Sequence, residues 1–157
     1  MQYNNPEREQ YLALLAYLRR RNADPAQPDN DDEITLYRGL KQNQTEPIQT
    51  NNTAGGLPPD PSVSYPSDIN AMAAQQGADG EGIGTTGRLH EFIEYTFNRQ
   101  WAENFSCLNV RSRGPFICIR IKKKYVNVPH PEREGGQEYG VFCASAAPVT
   151  IVEILSN

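Results

Sequence analysis

The sequence predicts an α+β domain on a mainly antiparallel sheet, and three observations carry that expectation. The apparent elements run helix, strand, long loop, strand, helix and then three strands, an order that suits an antiparallel sheet with helices set against it. A chain of 157 residues suits a single domain with one core. The apolar residues are also unevenly spread: Ile48, Leu57, Val63, Ile69 and Ile83 are the only Leu, Ile, Val or Phe between residues 41 and 88. The core must therefore come from the segments on either side.

The first element reads as an amphipathic helix. Asn5 is placed to cap it, Pro6 suits the first helical position, and Glu7 and Glu9 complement the positive end of the dipole. Tyr11, Leu14, Leu15 and Leu18 recur at helical spacing, and Arg19, Arg20 and Arg21 close the negative end. A Pro/Asp/Asn loop then leads to a strand over Glu33–Arg38, with Ile34, Leu36 and Arg38 on one face and Thr35 and Tyr37 on the other. Gly39 ends it.

Residues 41–88 read as one long polar loop holding only a short helix over Ser67–Gln76, and a loop of that size in a small domain usually has a function or lacks order. A strand over Phe92–Phe97 follows. Asn98 then caps a helix, Arg99–Leu108, with Trp101, Ala102 and Phe105 on one side. In Phe116–Lys122, Ile117, Ile119 and Ile121 alternate; Glu138–Ala144 and Val149–Leu155 supply the last two strands.

Composition excludes several classes. Net charge −4 argues against a protein that coats nucleic acid without specificity. No apolar run approaches the ~20 residues that span a membrane, and no N-terminal stretch has signal-peptide order. Three cysteines, Cys107, Cys118 and Cys143, are odd in number and lack metal-ligand spacing, which fits a reducing compartment. His90 and His130 lack partners at metal spacing, so no metal is expected. The glycines of residues 77–87 have neither the preceding strand nor the following Lys of a phosphate loop.

What remains is a set of polar residues at strand ends. Arg38 closes an apolar strand, where a guanidinium needs an anion to offset its desolvation; a structural ion pair would serve as well as a ligand. Thr96 stands near the end of a second strand just before a capped helix, and Glu138 opens a third strand after Gly135-Gly136. Singly, each has an ordinary structural explanation.

In sequence order, Leu36-Tyr37-Arg38-Gly39, then Tyr95-Thr96-Phe97-Asn98 running into Trp101-Ala102-Glu103-Asn104-Phe105, then Glu138-Tyr139-Gly140-Val141-Phe142, resemble the ADP-ribosyltransferase toxin superfamily, in its Arg–Ser/Thr–Glu branch. The resemblance covers about residues 33–155 and implies a split sheet core. It implies NAD as co-substrate, Arg38 holding the diphosphate, Thr96 bracing the active-site carboxylate, and Glu138 stabilising the oxocarbenium-like state as nicotinamide leaves. Tyr37, Gly39 and Tyr139 join the cofactor-binding set, with either tyrosine placed to stack on nicotinamide. The chain departs from the usual Ser-Thr-Ser block, which leaves one hydroxyl at its centre.

Glu132-Arg133-Glu134 is also a Glu-x-Glu, the pattern associated with arginine acceptors, but Gly135-Gly136 follows it, whereas Glu138 leads into a strand. Gly136 stands two before Glu138, where modification of protein would call for Glu or Gln. The stretch between Glu103 and Glu132 holds no acid and carries Arg120, Lys122 and Lys123, a solvated sheet edge or a weak acceptor-binding surface. The expected acceptor is therefore structured RNA, with protein second. The late glutamate and the absence of a delivery apparatus resemble the C-terminal toxin tips of bacterial Rhs-type and other polymorphic effectors. That implies delivery by a larger effector, action in a target-cell cytoplasm and a cognate immunity protein. An NAD glycohydrolase and a non-catalytic binding module are the rival readings.

Overall fold

Alternating apolar residues place six strands in one antiparallel sheet, which fixes the α+β class. The computed structural model describes residues 6–24, 31–40, 42–72, 91–106, 116–128 and 139–155. The helices are α1 (Pro6–Ala23), α2 (Gln42–Asn51) and α3 (Arg99–Ser106). The strands are β1 (Glu33–Gly39), β2 (Phe92–Thr96), β3 (Phe116–Lys122), β4 (Val126–Asn127), β5 (Gly140–Ala144) and β6 (Thr150–Leu155). Their order across the sheet is β4-β5-β2-β1-β3-β6, with every pair antiparallel.

Each sheet face has its own cover. On one face Leu36, Ile93, Tyr95, Ile117, Ile119, Ile121 and Val141 form a buried cluster with Tyr11, Leu14, Leu15 and Leu18 of α1. Burying each of those leucines contributes roughly 1.5–3 kcal/mol, which is what docks a helix of modest intrinsic stability. On the other face Ala102 of α3 packs on Phe116 and Cys118, with Tyr37 against them. Trp101 departs from the expected apolar side of α3: it is 41% exposed, because Ala102 is the residue turned to the sheet. At the outer edge, β6 skips Val152 in its register with β3. Such a bulge blunts an edge against pairing with other chains.

The expectation of one polar loop over 41–88 is corrected by α2. Ile48 is fully buried and anchors this Gln/Asn/Thr-rich helix, and Asn52 ends it at φ 52°, donating its N–H to Ile48 O at 2.8 Å. That is the left-handed cap asparagine tolerates. One apolar anchor with a polar cap leaves no periodic stripe for a sequence reading to find. The expected short helix is present over residues 69–72; its continuation lies outside the described residues, as does the expected Asn5 cap. Strand β4 and the 3-10 turn Lys123–Tyr125 are additional.

After α2 the chain is tied to the β5–β6 turn. Ala54 N–H donates to Ala147 O at 3.1 Å, Gly55 N–H to Ser145 O at 3.0 Å and Asp60 N–H to Ala146 O at 2.9 Å. The Tyr95 hydroxyl donates to Ala54 O at 2.6 Å, the Tyr125 hydroxyl to Pro61 O at 2.8 Å, and Asn127 Nδ2 to Pro66 O at 2.7 Å. Arg21 closes the same side, stacking 3.4 Å over the Tyr65 ring and donating to Val126 O at 2.9 Å. Burial lowers the pKa of its guanidinium from the ordinary value. The described polar segment is thus part of the folded body.

Gly55 tests that docking. A Cβ there would collide with Ser145 Oγ and Cβ, and would stand 2.8 Å from Ser145 Cα. Gly55→Ala is expected to destabilise the domain by about 1–3 kcal/mol, the usual cost of overpacking. Urea unfolding reads this directly, and an unchanged midpoint would mean that residues 52–66 do not dock as described.

Candidate functional site

Three neighbouring strands, β1, β2 and β5, carry the sequence-predicted site. β2 and β5 pair along their length, from Phe92 opposite Ala144 to Thr96 opposite Gly140. β1 and β2 are matched at one position only, Tyr37 opposite Thr96, whereas β1 and β3 match at seven, from Glu33–Lys122 to Gly39–Phe116. The sheet is therefore two ladders joined at its centre, and the join lies among the site residues.

Arg38 sits one residue past that join. Its Nη1 donates to Glu94 O at 2.7 Å, so a side chain links the two ladders where the backbones cease to pair. That commits one of the five donors a guanidinium carries. This bond, to a backbone carbonyl, holds the sheet; it is not itself the ion pair or the ligand contact that the position of Arg38 suggests.

Thr96 is 6% exposed, and its Oγ1 accepts the Asn98 N–H at 2.9 Å. Asn98 Oδ1 in turn accepts the Trp101 N–H at 3.0 Å and caps α3, as the sequence predicts. The Thr96 hydroxyl therefore shapes the turn from β2 into α3. Tyr37 stacks on Phe116, with ring centroids 6.1 Å apart and planes at 23°. Burial, with Cys118 second, raises its hydroxyl pKa. Gly39 is the buried last residue of β1, opposite Phe116.

Glu138 and Glu134 lie outside the described residues, which resume at Tyr139. Strand β5 begins at Gly140, two residues later than the sequence predicts. Tyr139 has φ 48°, a left-handed conformation costing a side-chain-bearing residue roughly 1–2 kcal/mol. Its carbonyl accepts the Phe97 N–H at 3.3 Å and its ring lies 5.5 Å from that of Tyr11. Tyr139 is thus held between β2 and α1, and Tyr37 is already stacked on Phe116, on the face of β1 opposite Arg38.

The basic residues are not brought into one surface. Arg120 is exposed on β3, on the face that also carries Lys122. Lys122 Nζ lies 3.4 Å from Asp31 Oδ1, with Lys124 at 3.9 Å from the same oxygen. Lys123 turns the other way, its Nζ 5.7 Å over the Tyr17 ring of α1.

A residue missed by the sequence reading lies at the centre. Glu94 shares its face of β2 with Thr96, and its carboxylate lies across the start of β5: a Cβ on Gly140 would stand 2.6 Å from Glu94 Oε2. Its alternation with buried Ile93 and Tyr95 made it look like an ordinary solvent-facing strand residue. The available signal was Gly140, a glycine inside an apolar strand, which marks close approach by another group.

Beside the site, Arg99 fixes α3 to the sheet edge. It donates from Nη1 and Nη2 to the two Glu153 oxygens at 3.0 Å each and from Nε to Glu103 at 2.9 Å, while lying 4.9 Å over Phe116. Cys118 and Cys143 are buried free thiols, and burial raises the pKa of both. Among the described residues no His/Cys/Asp/Glu group could hold a metal, and no helix is long and apolar enough to cross a membrane. No family model matches the chain, and no curated protein matches it.

The Arg99 fork predicts a pH dependence. Its hydrogen bonds hold the Glu153 carboxyl below the ordinary carboxylate value. A carboxylate with a depressed folded-state pKa contributes stability above its unfolded pKa and loses it as pH falls through the folded one. Glu153→Gln should lower the thermal midpoint near neutral pH, and the gap from the unmodified protein should close in acid below the ordinary carboxylate range. Equal midpoints at neutral pH would show the fork to be without energetic weight.

Proposed function

We propose that this domain is an NAD-dependent ADP-ribosyltransferase, cleaving the nicotinamide–ribose bond and passing ADP-ribose to a macromolecular acceptor. The observation that carries the reading is the adjacency of three motif-bearing segments. The strand ending in Arg38-Gly39, the strand ending in Thr96 and the strand that follows Glu138 lie side by side in the sheet as β1, β2 and β5. They are matched at Tyr37–Thr96 and Thr96–Gly140.

In this reading Arg38 binds the diphosphate through its planar fork. Tyr37, on the opposite face of β1 and stacked on Phe116, is not placed beside that fork. Glu138 places negative charge where positive charge develops on the ribose as the C–N bond breaks and the bonding pair leaves with nicotinamide. The acceptor favoured by the sequence, structured RNA, would meet Arg120 and Lys122 on the same sheet face, without Lys123. The domain would act in a target cell after delivery by a larger effector, restrained by an immunity protein in its producer.

The deciding experiment is incubation with labelled NAD and a cell extract, followed by separate protease and nuclease treatment. Label lost to nuclease supports an RNA or DNA acceptor, and label lost to protease a protein one. Nicotinamide released without labelled macromolecule identifies a glycohydrolase. Absence of NAD turnover, with thermal stability unchanged by NAD, identifies a binding module.

Two variants separate the roles. Glu138→Gln should lower turnover by about 10²-fold or more with little change in NAD affinity, because the charge it offsets exists only in the transition state. Loss in Glu134→Gln instead would reassign the carboxylate. Arg38→Lys should mainly raise the Michaelis constant, since the diphosphate is bound alike in ground and transition states. If it unfolds the domain while NAD affinity per folded molecule is unchanged, Arg38 is a structural residue of the sheet.

A further inference from the structure

We propose that the fork of Arg21 binds a small phosphate oxyanion, at the opposite end of the sheet from Arg38. Arg21 lies in the last turn of α1, its Cζ 3.4 Å over the Tyr65 ring and 5.8 Å from the centre of the Tyr17 ring. Its Nη1 donates to Val126 O at 2.9 Å. Nε and Nη2, the two donors of the side-on edge, are buried and have no hydrogen-bond partner among the described residues. Lys123 Nζ comes to the same Tyr17 ring, 5.7 Å from its centre. Among the described residues the ion pairs of the sheet engage Arg99, Lys122 and Lys124, and none engages Arg21 or Lys123. Two cations thus share one ring and no carboxylate.

The edge and the faces of a guanidinium need different partners. Aromatic rings satisfy the faces, and the Tyr65 stack does so here. The edge donors lie in the plane, where only an oxygen acceptor satisfies them, and leaving two such donors buried and unmade is costly. The negative end of α1 offsets part of the charge without supplying that acceptor. Burial lowers the guanidinium pKa, and the groups that oppose the shift are the two tyrosines. A phosphate presents two oxygens in parallel to such an edge, and its further charge suits Lys123 alongside. Arg21, Tyr65 and Lys123 are each half-buried, so the edge lies close beneath the surface. The place is separate from the proposed NAD junction. Lys123 N–H donates to Asp32 O at 2.9 Å, just before β1, whereas Arg38 stands near the far end of that strand, about 20 Å along at strand spacing.

The test uses the whole chain and radiolabelled inorganic phosphate in equilibrium dialysis, with ionic strength held constant by chloride. The expected result is saturable binding that Arg21→Lys weakens by about tenfold or more, because lysine keeps the charge and loses the fork. Lys123→Ala, on a half-buried turn, should weaken binding by a smaller factor, and it decides the question if Arg21→Lys does not fold. Arg38→Lys should leave this binding in place. Unlabelled phosphoserine separates the two sources of the same chemistry: displacement of the label assigns the site to a phosphate ester, and retention assigns it to the free ion. Absence of saturable binding overturns the proposal. So does binding unaltered in folded Arg21→Lys, or, where that variant does not fold, binding unaltered in Lys123→Ala. Binding removed by Arg38→Lys alone places the phosphate at the β1–β2 junction and overturns it as well.

Discussion

The join between β1 and β2 is the constraint on which the rest of the architecture turns. A sheet with only one matched pair at its centre would part into two ladders were the gap not bridged. The Arg38–Glu94 bond at 2.7 Å bridges it by side chain, and α1 bridges it by burial. Tyr11 of α1 reaches both Phe97, after β2, and Tyr139, before β5. Parting strands leave backbone groups and strand-end side chains facing one another without a ladder between them, which is where a ligand finds donors. Stability and the candidate chemistry thus draw on the same few residues.

Much of the fold was legible because period-two alternation is strong wherever one face is buried. Ile117, Ile119 and Ile121 announced β3, and all three are fully buried. The Asn98 cap was equally readable, since a single side chain performs it. α2 was not readable: Ile48 is a lone anchor, and the residues around it are polar. Nor was the ordering of residues 52–66, which depends on backbone bonds to a turn more than 80 residues later and on hydroxyls from Tyr95 and Tyr125.

Within the site, the sequence pointed to strand ends but could not say what each side chain touches. Thr96 shows the gap: the family resemblance implied a brace for a carboxylate, and its hydroxyl accepts the Asn98 N–H in the turn from β2 into α3. Lys122 and Lys123 show another, since neighbours in sequence diverge when a strand gives way to a 3-10 turn. Glu94 was hidden for the opposite reason, because only the cross-strand register reveals that its carboxylate meets Gly140.

The most direct measurement is a crystal structure of the domain with a non-cleavable NAD analogue. The expected result has diphosphate oxygens hydrogen-bonded to the Arg38 fork and the nicotinamide ribose beside Glu138 at the head of β5. A diphosphate bound elsewhere, with Arg38 bonded only to protein and no ribose near β5, would contradict the assignment of this strand junction as an NAD site.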